Sequence, residues 1–270
     1  MLETRDLTIR FGGHVAVNAV SCIFAPGTLT AIVGPNGAGK TTYFNLISGQ
    51  LKASSGAVLL DGKDLSGLGV SARTHAGLGR AFQLTNLFPN LSVLENVRLA
   101  VQSTRAGAHR HGLNLWSIWS DHHALTQRAY ELLEGVSMAG KQEMLVASLP
   151  HGDQRKLEVA LLMALEPKVF MFDEPTAGMS AEEAPVILNL IRKLKDDPSK
   201  TILLVEHKMD VVRELADRII VLHNGALVAD GDPAQVIASP VVQEAYLGVS
   251  PQNVQAARSA QHTPHASHPA

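Results

Sequence analysis

Apolar residues along the chain repeat with two periods, and the switch between them divides it into layers. Leu7–Phe11 and Val15–Phe24 read as β runs, punctuated by Gly12-Gly13 and Pro26-Gly27, and predict a small antiparallel layer. Lys168–Phe172 and Thr201–Val205 are almost wholly apolar, as strands covered on both faces of a parallel sheet must be. Glu182–Lys195 between them has helical spacing, so the three predict a βαβ core. Ser180 and Glu183 supply a capping box for that helix, and Pro185 is left without an evident reason. From Leu91 to Leu165 the spacing is mostly helical: Ser92 and Glu95 cap Val93–Val101, and Ala124–Glu134 and Gln154–Leu165 carry helix-spaced apolar residues. Ser103–His123 is rich in histidine, holds Trp116 and Trp119, and lacks a period; it is expected to be a surface loop or partner-facing excursion. Further on, Asn224-Gly225 joins Ile219–Leu222 to Ala226–Ala229 as a hairpin. Ser250–Ala270 is Ala, Gln, Ser, His and Pro with almost no large apolar side chain, which predicts a disordered, solvated tail that includes His262, His265 and His268.

One segment carries chemistry by itself. Gly34-Pro35-Asn36-Gly37-Ala38-Gly39-Lys40-Thr41-Thr42 fits the pattern G-x-x-x-x-G-K-[ST] between a strand-like Leu29–Val33 and a helix-like stretch from Lys40. Its glycines let the backbone curl with N–H groups facing a polyphosphate, Lys40 places a point charge on the β and γ oxygens, and the Thr41 hydroxyl suits Mg²⁺. A nucleoside triphosphate is the implied ligand.

Composition narrows the setting. The chain has 270 residues, 46% of them hydrophobic, enough for one large α/β domain or two joined lobes. A net charge of −2 gives no electrostatic case for nucleic acid. The single Cys22 lies in an apolar stretch, which suits a core position and a reducing cytosol. Charges near the N-terminus and the lack of a long apolar run lead us to expect neither a signal peptide nor a membrane span, so any membrane role runs through a partner.

A second motif follows far downstream. Val169-Phe170-Met171-Phe172-Asp173-Glu174 is an apolar strand ending in two acids, of which Asp173 suits Mg²⁺ or its water shell and Glu174 suits a general base for an attacking water. With these motifs in this order, residues 2–248 resemble the nucleotide-binding subunit of ATP-binding cassette (ABC) transporters. The resemblance implies an α/β fold: a P-loop NTPase core of ABC ATPase type with an antiparallel β layer and an inserted helical subdomain at about 84–165, the ATPase domain covering 1–248 and a disordered tail 249–270. It implies ATP and Mg²⁺ as ligands. Gln83, in Arg80-Ala81-Phe82-Gln83, matches the Q-loop, implying contact with Mg²⁺ and water and a link to the membrane subunit. His207 matches the switch histidine expected at the γ-phosphate, and Phe11 the aromatic that stacks on adenine.

The family signature, normally L-S-G-G-Q, stands here as Leu149-Pro150-His151-Gly152-Asp153. Gly152 is kept, and with the helix N-terminus it is implied to meet the γ-phosphate held by an opposing subunit. Pro150 lacks the serine hydroxyl, and Asp153 adds negative charge there unless it points away as a helix cap. Gly77–Gln83, Leu87–Val97 and Ala245–Gly248 resemble the branched-chain amino acid uptake branch, whose close relatives import urea or short amides. Implied partners are a second cassette subunit, a copy or a paralogue, integral membrane permeases and indirectly a periplasmic binding protein; the implied location is the inner face of the cell membrane. A soluble, non-transport cassette ATPase and a scaffold that hydrolyses poorly stand as the other readings.

Overall fold

The computed structural model describes residues 1–81, 87–105 and 117–247. Along them run β1 (Leu2–Phe11), β2 (His14–Phe24), β3 (Thr28–Val33), α1 (Lys40–Ser48), β4 (Ser55–Leu60), β5 (Lys63–Asp64), α2 (Val70–His75), β6 (Leu78–Ala81), α3 (Val93–Arg105), α4 (Ser117–Gly135), α5 (His151–Ala164), β7 (Val169–Asp173), α6 (Ala184–Lys195), β8 (Thr201–Val205), α7 (Met209–Leu215), β9 (Arg218–His223), β10 (Ala226–Gly231), α8 (Pro233–Ala238) and α9 (Pro240–Leu247). They build two sheets. A four-stranded antiparallel sheet has the order β2-β1-β4-β5, and a six-stranded sheet has the order β10-β9-β3-β8-β7-β6, parallel except where β10 folds back on β9.

The apolar strands owe their position to period-two alternation. In β7, Val169 and Met171 point to a core shared with α1 and the antiparallel sheet, whereas Phe170 and Phe172 point to a second core under α3, α4, α5 and α6. In β8, Leu203 and Val205 join the first core and Ile202 and Leu204 the second. Such a strand has no face for polar residues, so they collect at its ends. Among the described residues, no helix is long and apolar enough to cross a membrane.

Several local expectations need correction. Leu29–Val33 leads out of the antiparallel layer and into the parallel sheet, pairing with β8 and β9. β1 starts at Leu2 rather than Leu7, passing through an irregularity at Asp6 (φ 44°). The Ser180–Glu183 box forms in both directions, at 3.3 and 3.2 Å, but closes the turn ahead of α6. α6 itself begins at Ala184, so Pro185 sits in the first turn, where a missing N–H costs nothing. At the start of α3 only half the expected box is present: Ser92 Oγ accepts from Glu95 N at 3.2 Å, while the Glu95 carboxylate turns to Arg98. Part of the aperiodic stretch is helical, since α3 reaches Arg105 and α4 starts at Ser117. Residues 106–116 and 248–270, including the expected tail, lie outside the described residues.

The β9–β10 hairpin turns on Asn224 (φ 48°) and Gly225 (φ 76°), as a two-residue turn of this twist demands. Its tip does more than reverse the chain. Gly225 N donates to Ala38 O at 3.0 Å, Asn18 N donates to Gly225 O at 2.8 Å, and a Cβ at Gly225 would lie 2.7 Å from Ala16 O. Gly62 (φ 78°) has the same handed backbone with open space around it. Alanine at either site carries the ~1–2 kcal/mol cost of a left-handed residue, and Gly225→Ala should lose a further ~1–3 kcal/mol from forced overpacking. Urea denaturation of the two variants measures the difference, and equal losses would show that the tip braces nothing.

Candidate nucleotide site

β3 delivers the chain to the site at Gly34. There φ is 152°, and a side chain would run into the Leu222 carbonyl on β9. The loop ends at Gly39, which begins α1 without any side-chain cap, so the first N–H groups of the helix are left for an outside acceptor. Asn36 to Thr42 line a pocket of ≈ 380 Å³ together with Phe11, His14, Ala16 and Glu174. Phe11 is 49% exposed at its rim, where its ring can lie on a flat ligand. Gly34 and Pro35 are not in the lining; their carbonyls accept Lys40 Nζ at 2.7 and 2.9 Å. Burial holds the Lys40 ammonium below its ordinary pKa, with Glu174 and Asp173 pulling it back up.

Asp173 and Glu174 leave the tip of β7 in different directions. The Asp173 carboxylate turns inward and forms an ion pair with Arg80 at 2.7 Å, the two side chains 9% and 6% exposed. Burial raises its pKa and Arg80 opposes the rise. Glu174 takes a left-handed backbone (φ 49°), unusual for a side chain of this size, and its N–H is fixed to Val205 O at 2.9 Å. That turn puts its carboxylate on the pocket. His207 Nδ1 stands 3.8 Å from Glu174 Oε1, both side chains half-exposed. Gln83 falls outside the described residues.

The variant signature stands apart from this pocket. Pro150 is the first residue before α5, where its missing N–H leaves no helix bond unmade. Gly152 lies against the Glu183 carboxylate, which occupies the space a Cβ would need. Asp153 does point away from the loop: it is 2% exposed and bonded to Lys141 and Lys156. Burial would raise its pKa, but the two ammonium groups outweigh that and hold it below the ordinary value. The extra negative charge is therefore matched within the lobe.

Residues 17–177 match the family model described as ABC transporter. The chain belongs to the ABC transporter family. Residues 226–250 also match the model for branched-chain amino acid ATP-binding cassette transporters. The high-affinity branched-chain amino acid transport ATP-binding protein LivG of Escherichia coli (strain K12) is 36% identical over 92% of this chain and 98% of its own length. Among solved structures, a nucleotide-free ATP-binding cassette from an ABC transporter superposes with a TM-score of 0.76 at 28% identity, covering 92% of this chain and 99% of that one. A dimeric ATP-binding cassette in a post-hydrolysis state, bound to ADP and Pi, superposes with a TM-score of 0.73 at 26% identity over 86% of this chain and 99% of that one. The chain is thus an ATP-binding, ATP-hydrolysing cassette subunit of this family, and dimers occur among its structural relatives.

Some residues around this cassette's site escaped the sequence reading. His14 lines the pocket because the β1–β2 turn places it beside Phe11. Arg80 was visible only as a lone cation inside an apolar strand, a pattern that demands a buried acceptor. Glu206, next to His207, is 1% exposed; one oxygen accepts Lys208 N at 3.2 Å and the other has no partner among the described residues. Burial raises its pKa above the ordinary 4.5, against the pull of the Lys208 N–H, His207 and Lys208 and with some help from Glu174. The folded protein therefore holds this proton more tightly than the unfolded chain, and stability is lost as pH rises from 4.5 through the raised value. Glu206→Gln should raise the melting temperature near neutral pH and give a smaller gain at about pH 5. Thermal melts at both pH values test this, and a pH-independent gain would contradict it.

Proposed function

We propose that this cassette powers an importer for branched-chain or related small amino acids at the inner face of the cell membrane, hydrolysing ATP at the pocket formed by Asn36–Thr42, Phe11 and Glu174. One observation carries the chemical part: the phosphate loop and Glu174 line a single pocket although far apart in sequence, and His207 stands 3.8 Å from Glu174. The cargo rests on the 36% identity to LivG and the match at residues 226–250.

Phe11 stacks on adenine, the N–H groups from Asn36 to Thr42 take the phosphates, and Lys40 exchanges its two carbonyl acceptors for phosphate oxygens. Glu174 accepts a proton from the water that attacks the γ-phosphorus; the new P–O bond forms as the bond to the bridging oxygen of ADP breaks. His207, beside Glu174, senses the γ-phosphate. The oxygen-only donors Thr41 and Asp173 fit a hard cation held mainly by nucleotide and water, with Gln83 as the third contributor. Mg²⁺ there would neutralise charge on the β and γ oxygens. Gly152, at the start of α5, serves the ATP of a second cassette, a copy or a paralogue. In this reading residues 1–248 act as one ATPase domain whose helical part spans about 84–165.

The permease contact is supported by an apolar patch that begins at Phe88, shortly after Gln83 in sequence. Phe88, Leu91, Met144 and Leu145 are exposed together, knit by Val93 N to Met144 O (3.0 Å) and Val146 N to Leu91 O (3.2 Å). Apolar side chains displayed this way on a well-bonded frame suit a partner protein.

Lys40 meets ground-state phosphates, whereas Glu174 acts on water. Lys40→Ala should therefore weaken nucleotide binding, and Glu174→Gln should keep binding while turnover falls about 10²–10⁴-fold. Binding and steady-state ATPase assays read the two effects apart; near-normal turnover in Glu174→Gln would remove it as the base. In cells, Lys40→Ala should abolish uptake of labelled leucine that depends on this chain, and intact uptake would overturn the transport assignment.

A further inference from the structure

Arg80 has no part in the reaction described so far, yet its guanidinium ties its own strand to two separate supports of the site. Nη2 holds Asp173 Oδ2 at 2.7 Å. Nη1 donates to Asn45 Oδ1 at 2.6 Å and Ser48 Oγ at 3.0 Å, both on α1, and to Gln50 Oε1 at 3.0 Å just past it. The cation also lies 5.0 Å from the centroid of the Phe44 ring. Arg80 itself sits on β6, three residues before Gln83. The supports it ties to its own strand are α1, which begins one residue before Thr41, and the tip of β7, which carries Asp173.

We propose that Arg80 is the positioning residue that holds the Mg²⁺-binding side chains in mutual register. The proposal rests on the reading of Thr41 and Asp173 given above. A planar fork can serve a carboxylate and several neutral acceptors at once; a lysine ammonium is a single point. Because Arg80 takes Oδ2, the Asp173 carboxylate offers Oδ1 to the metal or its water. The buried ion pair also keeps the acid from standing uncompensated at the tip of an apolar strand, where an isolated charge is very costly. Movement of β6 would reach Asp173 through the same bonds.

Binding of a fluorescent ATP analogue to the full chain, first in EDTA and then during Mg²⁺ titration, tests this without relying on turnover. Arg80→Gln should leave affinity in EDTA within about twofold and raise the Mg²⁺ half-saturation about 10–100-fold, the usual cost of losing a group that orients a metal ligand. Arg80→Lys should fall between, since it keeps charge and loses the fork. In an Asp173→Asn background, adding Arg80→Gln should shift the half-saturation by less than about twofold, because the two changes act through one bond. An unchanged or lowered Mg²⁺ half-saturation in Arg80→Gln would overturn the proposal, the lowered value meaning that arginine competes with metal. So would an equal shift in both backgrounds. If Arg80→Gln loses the wild-type melting transition, Arg80→Lys decides, and wild-type Mg²⁺ dependence in it overturns the proposal. Wild-type binding that ignores Mg²⁺ would overturn both this role and the metal reading, whereas a shift in Asp173→Asn with none in Arg80→Gln would remove Arg80 alone.

Discussion

Strands β3, β7 and β8 are buried on both faces, and this one constraint arranges everything else. A charged side chain on either face of such a strand would need a buried partner, so charged groups are confined to the strand ends; Thr30, inside β3, is a neutral exception, fully buried with no partner for its Oγ1 among the described residues. Because the strands are parallel, their carboxyl ends come out on the same edge. β3 ends in the phosphate loop, β7 in Asp173 and Glu174, and β8 in Glu206 and His207. Residues separated by more than a hundred positions in the chain are thereby neighbours at one pocket.

Several of the buried charges are partnered within the chain before any ligand arrives. Lys40 is held by its own loop's carbonyls, Asp173 by Arg80, and Asp153, away from the pocket, by Lys156 on its own helix and by Lys141. Each pairing answers the high cost of an uncompensated buried charge, and each fixes a direction. Glu174 is the contrast. Its backbone is forced into the left-handed region while its side chain remains half-exposed at the pocket, so strain in the main chain aims a carboxylate that solvent can still reach.

The most local features were the most legible in sequence. The phosphate loop, the acid pair at the end of β7 and the Asn224-Gly225 hairpin each depend on residues within about ten positions, where spacing and turn chemistry decide. The unread features are non-local or short. α2 spans only Val70–His75 and β5 only Lys63–Asp64, too brief to establish a period, and β4 opens on Ser55-Gly56, residues that signal a turn. Arg80 finds Asp173 across 93 positions and Asn45 across 35, a meeting set by sheet order β8-β7-β6 and not by any local pattern. The same holds for Asp153. Its neighbours left open whether the charge faces phosphate or points away, and only the packing of α5 beside Lys141 shows it facing inward. The misjudged start of α6 has a simpler cause: the Ser180–Glu183 box is real, but it caps a turn that the helix does not yet include.

The central claim is that nucleotide binds on the Gly34–Thr42 loop, at the edge where the buried strands end. Hydrogen exchange of the full chain with and without Mg·ATP tests it most directly. Exchange should slow at the amides from Asn36 to Thr42 and stay unchanged in the β4–β5 hairpin, which contributes no residue to the pocket. Unaltered exchange across that loop, at nucleotide concentrations that saturate turnover, would contradict it.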